Sequence, residues 1–173
     1  MNDEGLREVK NPSELFLQEV NNEPGGVITS TLEGARAILT QIQALTNQTN
    51  FGMPLRRASG IDVNRLTMLI ATLTRRAALP LQNNDVFVNV AGGLKISEPA
   101  ADLAVCLAIA SSLKAKSLKE STVAIGEVGL LGEVRSVLGL DQRIKEAKKL
   151  GFKNFITPYQ VKNLVDALKL AFN

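Results

Sequence analysis

The chain has 173 residues, 45% apolar and 21% charged, which suits one soluble globular domain with a sizeable core. It contains no histidine and a single cysteine, Cys106, which excludes Ser-His-Asp and Cys-His catalysis, imidazole-ligated zinc and an internal disulfide within this sequence. A net charge of +3 is compatible with a polyanionic partner without requiring one.

No apolar run approaches the ~18 residues of a membrane span. The first residues also lack the pattern of a signal peptide. A cytoplasmic protein with no membrane partner is the expectation. Residues 1–25 read as a linker arm. Asn11-Pro12-Ser13-Glu14 has the form of a helix start, with Asn as cap and Pro at the first helical position, opening a short helix through Leu15-Phe16-Leu17. Asn21 to Gly26 then reads as a polar, turn-rich break. Residues 26–173 read as the folded domain.

Val27–Leu32 and Ile38–Leu45 are predicted strands of a β-hairpin, with Ile38, Thr40, Ile42 and Ala44 alternating against Gln41 and Gln43. Asn47–Ala58 is predicted as a loop carrying Arg56 and Arg57. Asp62 is placed to cap a helix whose inner face is Leu66, Leu69, Ile70, Leu73 and Ala77. Asp85–Val90 reads as a strand ending in the Gly92-Gly93 turn. Pro99 suits the first turn of a helix running to about Leu113, apolar nearly all round and therefore central. Cys106 lies in that run and reads as a small buried hydrophobe. Thr122–Ile125 and Gly132–Val137 are predicted strands around a Gly-rich bend. Asp141 is predicted to cap a helix that ends at Lys148, Lys149 and Gly151. Phe155-Ile156-Thr157-Pro158 reads as a short strand, and a last helix carries the stripe Val161, Leu164, Val165, Leu168, Phe172. The mixture is an α/β, or two-layer α+β, pattern.

Two segments carry chemistry by resemblance. Asn89-Val90-Ala91-Gly92-Gly93 through Glu98-Pro99-Ala100-Ala101-Asp102-Leu103 resembles the nucleophile region of Lon-type proteases, where a helix opens on Gly-Pro-Ser-Ala-Gly. Gly126-Glu127-Val128-Gly129-Leu130-Leu131-Gly132-Glu133-Val134 resembles the segment that leads to the catalytic Lys of the same family. Read without the resemblance, it is a strand-turn-strand with glycines at the bends. The Ser position is Ala100 and the Lys position is Asp141, so neither half of a Ser-Lys dyad is present. Lys95 and Ser97 lie on the same loop, two residues apart, with no third group to orient them. No Gly-x-x-x-x-Gly-Lys-Ser/Thr loop occurs, so ATP binding is not expected of this chain.

Further segments narrow the resemblance: Asn11-Pro12-Ser13-Glu14-Leu15-Phe16-Leu17, Leu32-Glu33-Gly34-Ala35-Arg36 and Ser59-Gly60-Ile61-Asp62-Val63-Asn64-Arg65-Leu66. With the loop through Ala100, they resemble the carboxy-terminal part of the RadA (Sms) family of bacterial DNA-repair proteins, over essentially the whole chain. That family's zinc finger, Walker loop and Lys-Asn-Arg-Phe-Gly motif are absent. The resemblance implies a ribosomal protein S5 domain 2-like fold, the fold of the Lon proteolytic domain, preceded by residues leaving a RecA-like ATPase. It implies a homo-hexameric ring acting as an ATP-driven motor on DNA in recombination, with a RecA-type recombinase as a further partner. ATP and zinc would belong to the other domains, and no cofactor to this one.

Within such a protein this domain would be a scaffold and a basic surface. Arg36 at the mouth of the first hairpin and Arg135 after the Leu131-Gly132 bend are the first DNA-backbone candidates, with Arg56 and Arg57 on the predicted loop next. Each also has a plainer reading as a solvated charge or an interface ion pair. Two rival functions stay open: a divergent Lon-type serine protease with a relocated nucleophile, and a pure oligomerisation module without DNA contact.

Overall fold

The computed structural model describes Ser13, Leu17, residues 22–50 and residues 52–172. The rest of the predicted helix around Asn11–Leu17 lies outside the described residues; Ser13 and Leu17 are helical.

The domain is a mixed α/β fold. Its main sheet has six strands in the order β3-β4-β2-β1-β5-β8, and a two-stranded ribbon, β6-β7, stands apart. β1 (Gly26–Glu33) and β2 (Arg36–Gln48) form the expected antiparallel hairpin, closed between Glu33 and Arg36. β4 (Asn84–Val90) pairs antiparallel with the second half of β2, Ile42 facing Val90. β5 (Thr122–Ala124) lies parallel to β1, and β8 (Asn154–Ile156) parallel to β5. β6 (Glu127–Val128) and β7 (Val134–Arg135) make the ribbon expected of the Gly-rich segment.

One strand replaces a predicted loop. Residues 56–59 form β3 (Arg56–Ser59), parallel to β4 with Arg57 facing Phe87. The segment is held in place from a distance: the Asp85 carboxylate accepts from the Leu55 amide at 2.7 Å, and the Val86 amide donates to the Leu55 carbonyl at 2.9 Å.

Helix α1 (Val63–Arg76) starts as expected, its Asp62 cap accepting from the Arg65 amide at 2.8 Å. Helix α2 (Asp102–Lys114) follows a 3-10 turn at Pro99–Ala101, and every residue from Asp102 to Ser111 is buried. Two further helices are α3 (Leu140–Lys149) and α4 (Leu164–Phe172).

Strand alternation sends successive side chains to opposite faces of the sheet. Val27, Ile42, Ala44, Val86, Val88 and Val90 pack with α1, α2 and α4 in one core cluster. Ile28, Leu39, Val123 and Ile125 face the other way, onto Leu140 and Ala147 of α3 and onto Leu17. The expected two layers are therefore supplemented by α3, which covers part of the second face. The turn at residues 23–26 is docked onto this frame: the Gly25 amide donates to Ser111 Oγ at 2.8 Å, and its carbonyl accepts from the Ala44 amide at 2.9 Å.

In α4 the buried face is Leu164, Ala167 and Ala171, whereas Val165 is 39% exposed. Of the predicted stripe, Val161 and Leu164 are buried and Leu168 and Phe172 pack half-buried against the core, so Val165 is the one member turned out. The small Ala167 and Ala171 allow close approach to the core beside that stripe.

Candidate functional site

The degenerate dyad positions anchor the site. Ala100 is fully buried in the 3-10 turn Pro99–Ala101, among Val123, Ile125 and Leu140. Its carbonyl accepts from the Gly126 amide at 2.9 Å, and the Gly126 carbonyl accepts from the Leu103 amide at 3.1 Å. A methyl group fills the position, and backbone bonds lock it to the strand-to-ribbon connection.

Asp141 does not cap its helix. Gly139 occupies the cap position with φ +67, no side chain caps the amides, and the Gly139 carbonyl accepts from the Arg143 amide at 3.0 Å. A glycine in the left-handed region turns the chain into the helix without a side-chain cap. Asp141 sits in the first turn, where an anion suits the helix dipole. It accepts from the Tyr159 hydroxyl at 2.8 Å, a bond that raises the Tyr159 phenol above its ordinary range.

The functional-looking groups of this loop are the two carboxylates that flank Ala100, and both are engaged by arginines. Glu98 meets Arg143, whose side chain is entirely buried. Glu98 Oε1 accepts from Arg143 Nη1 at 2.9 Å, from Thr31 Oγ1 at 2.9 Å and from the Leu32 amide at 2.8 Å, while Oε2 accepts from Arg143 Nη2. Arg143 also donates to the carbonyls of Ser30 at 2.6 Å and Leu138 at 2.9 Å. Burial alone would raise the Glu98 carboxyl, but these donors outweigh it and hold the group below the ordinary carboxylate range.

On the other flank, Asp102 opens α2 and is buried. Its Oδ1 accepts from Arg65 Nε at 3.0 Å, and its Oδ2 accepts from Arg65 Nη2 and from the Val128 amide, the latter at 3.2 Å. Burial lifts the Asp102 carboxyl above its ordinary value, with Arg65 pulling in the opposite sense. The two pairs fasten the nucleophile-like loop to β1, α3, α1 and the ribbon.

Lys95 and Ser97 are exposed on either side of the buried Ile96, whose amide donates to the Gly60 carbonyl at 2.7 Å. They share no hydrogen bond among the described residues. Ser97 opens onto a cleft of about 390 Å³ that Arg65, Met68, Asp102 and Glu127 also line. Cys106 is fully buried, and burial pushes its thiol well above the ordinary range, with Asp102 adding to the effect. It is an inert core residue.

The four arginine candidates do not converge. Arg36 is exposed at the hairpin turn. Arg57 is exposed on β3, level with Phe87 and Leu45. Arg36 and Leu45 are nine positions apart on β2, so the two arginines lie roughly 30 Å from each other along the strand direction. Arg56 is occupied by the carbonyls of Leu55, Leu81 and Asn84. Arg135 pairs with Glu133 and, at 3.8 Å, with Glu127.

Sequence reasoning passed over Arg65, Arg143 and the anchoring part played by Glu98. One signal was available for Arg143: it falls between Leu140 and Ala147 at the spacing of the buried face of α3. A cation on an apolar helix stripe implies a partner carboxylate.

Residues 63–161 match the family model described as subunit ChlI of Mg-chelatase. The "DNA repair protein RadA" of Bacillus subtilis is 52% identical over 159 residues, 91% of this chain and 35% of the relative. That of Aquifex aeolicus is 44% identical over 170 residues, 98% of this chain and 38% of the relative. The RadA of Streptococcus pneumoniae is 48% identical over 155 residues, 89% of this chain and 37% of the relative.

The chain belongs to the RadA family and carries a ChlI-type domain.

It spans little more than a third of the length of these RadA relatives. The ChlI-type match takes in Ala100, Asp141 and Arg135, together with both ion pairs of the loop. Arg36, Arg56 and Arg57 fall before it, within the stretch aligned to RadA. No helix of the described residues is long and apolar enough to cross a membrane. No group of three or more His, Cys, Asp or Glu among them has the arrangement of a metal site.

Proposed function

We propose that this domain is a proteolytically inactive Lon-like module, of ribosomal protein S5 domain 2-like fold, serving a longer RadA-type protein in DNA repair. It assembles copies into a hexameric ring and presents cations to the DNA backbone without reading sequence. The ATPase, its ATP and any zinc belong to other parts of that protein, as does contact with a RecA-type recombinase. The cell compartment is the cytoplasm.

The observation that carries the reading is the fate of the dyad loop. Ala100 is packed into the core, Asp141 bonds to Tyr159, and the carboxylates beside Ala100 are tied to Arg143 and Arg65. A general base needs reach to a nucleophile, and neither partner of that exchange is present. What is left is a rigid frame with exposed cations at Arg36 and Arg57.

The test is a salt titration of binding to labelled single-stranded and duplex DNA, with oligomer mass measured on the same samples. Binding that falls with salt at a log-log slope near −0.9 per phosphate neutralised on duplex, and weakens in Arg36→Glu and Arg57→Glu, supports DNA contact. A fluorogenic peptide or casein cleaved by the purified domain overturns the inactive reading.

A scaffold without DNA contact is the second reading. It is favoured by the engagement of Arg56 and Arg135 and by the separation of Arg36 from Arg57. Ring mass retained with no salt-dependent DNA binding would select it.

A further inference from the structure

A groove of about 520 Å³ runs between the ends of three helices, away from the dyad loop. Its floor is Leu79, Val165, Leu168 and Phe172. Its rim is Lys114 at the end of α2, Lys116 just beyond it, and Lys169 on α4. No acidic residue lines it. Asp166, on the same helix, is held by Asn163 Nδ2 at 2.7 Å, where it serves the start of α4.

Part of this pattern is helix chemistry. Cations are favoured at helix C-termini, and Lys116 donates to the Phe172 carbonyl at the end of α4. Lys114 and Lys169 also lie in the last turns of their helices, but their ammonium groups have no carbonyl or carboxylate partner among the described residues. Helix chemistry does not account for the floor. Ala167 and Ala171 of α4 lie in the core, while Val165 and the half-buried Leu168 and Phe172 line the groove. Half-exposed apolar side chains inside a ring of cations form a surface complementary to alternating apolar and anionic groups.

We propose that this groove docks an acidic amphipathic peptide segment of a partner protein. Apolar side chains of the segment would rest on Val165, Leu168 and Phe172, and its carboxylates would meet Lys114, Lys116 and Lys169. The apolar floor favours a peptide over a nucleic-acid backbone, which offers charge without apolar anchors.

The probe is a fluorescein-labelled peptide in which Asp alternates with Phe and Leu, read by polarisation against this domain, with an Asn-for-Asp peptide as control. The expected result is saturable binding that weakens with added salt. It should fall about tenfold in the double variant Lys114→Glu/Lys169→Glu, and fall similarly in Val165→Asp, which attacks the floor instead of the rim. All three positions are exposed, and a thermal melt by circular dichroism confirms that the variants fold. No saturation by the acidic peptide up to about 1 mM overturns the proposal. So does equal binding of the Asn control, or binding unchanged by the double reversal. A labelled oligonucleotide that binds through the same two lysines while the peptide does not would reassign the groove to nucleic acid and equally overturn it.

Discussion

Replacing Glu98 with Gln keeps the shape of the side chain and removes its charge. In the native domain both Glu98 oxygens face Arg143, and Oε1 also serves Thr31 and the Leu32 amide. The Gln oxygen can keep the Oε1 set. Its NH2 group then points at Arg143 Nη2, donor against donor, and one charge-assisted bond is lost. The guanidinium is left uncompensated in a site where the Arg143 side chain has no exposure. Removing one partner of a buried pair costs about 3–5 kcal/mol, because the remaining charge cannot return to water. For a domain of this size that corresponds to a fall in Tm of about 6–20 °C. Urea unfolding at pH 7 followed by circular dichroism measures the loss directly. The sign of the pH dependence is also fixed. Glu98 titrates lower in the folded state than in the unfolded chain, so its contribution is present above the ordinary carboxylate pKa and disappears as pH falls through the folded value. The gap between wild type and Glu98→Gln should be full at pH 7 and shrink below about pH 4. A loss under about 1 kcal/mol at pH 7, or a gap that widens on acidification, would refute the argument that this pair fastens the loop.

Other expectations follow from the same frame. Gly60 has φ +83, and a Cβ there would come within 2.5 Å of the Leu94 carbonyl oxygen and 2.7 Å of Val90. Gly60→Ala should therefore lower stability by about 1–3 kcal/mol, read by the same urea transition. Restoring a hydroxyl with Ala100→Ser should give no cleavage of casein or of a fluorogenic peptide, because Asp141 supplies no base to activate it; turnover above the Ala100 protein would contradict this. The Cys106 thiol should fail to react with a disulfide reagent in native buffer and react fully in urea, since burial keeps it a thiol out of solvent's reach.

Much of the fold was legible because its signals are local. Alternation at Ile38, Thr40, Ile42 and Ala44 identifies β2, the Asp62 cap marks the start of α1, and the unbroken apolar run after Pro99 marks the central helix. The rest depends on partners distant in sequence. β3 is short and carries two arginines; it becomes a strand because Asp85 and Val86 bind Leu55 across the intervening helix. The position of Asp141 suggested a cap, but the left-handed Gly139 makes a side-chain cap unnecessary. On the last helix the stripe holds except at Val165: hydrophobicity alone does not tell Ala167 from Val165, while close packing selects the smaller residue. In the site, the sequence pointed to the two degenerate positions. The arginines that replace chemistry with anchoring come from α1 and α3, and only folding brings them to the loop.

The borders of the main sheet carry a consequence for how copies of this domain can meet. Both edge strands are stubs: β3 has four residues and is followed by Gly60, and β8 has three and runs directly into Thr157-Pro158. A proline carries no amide hydrogen to offer an approaching chain, and stubs this short present few open backbone groups. Growth of the sheet from one molecule into the next is thereby discouraged at both borders. Any association between copies would then rest on side chains rather than on a shared sheet.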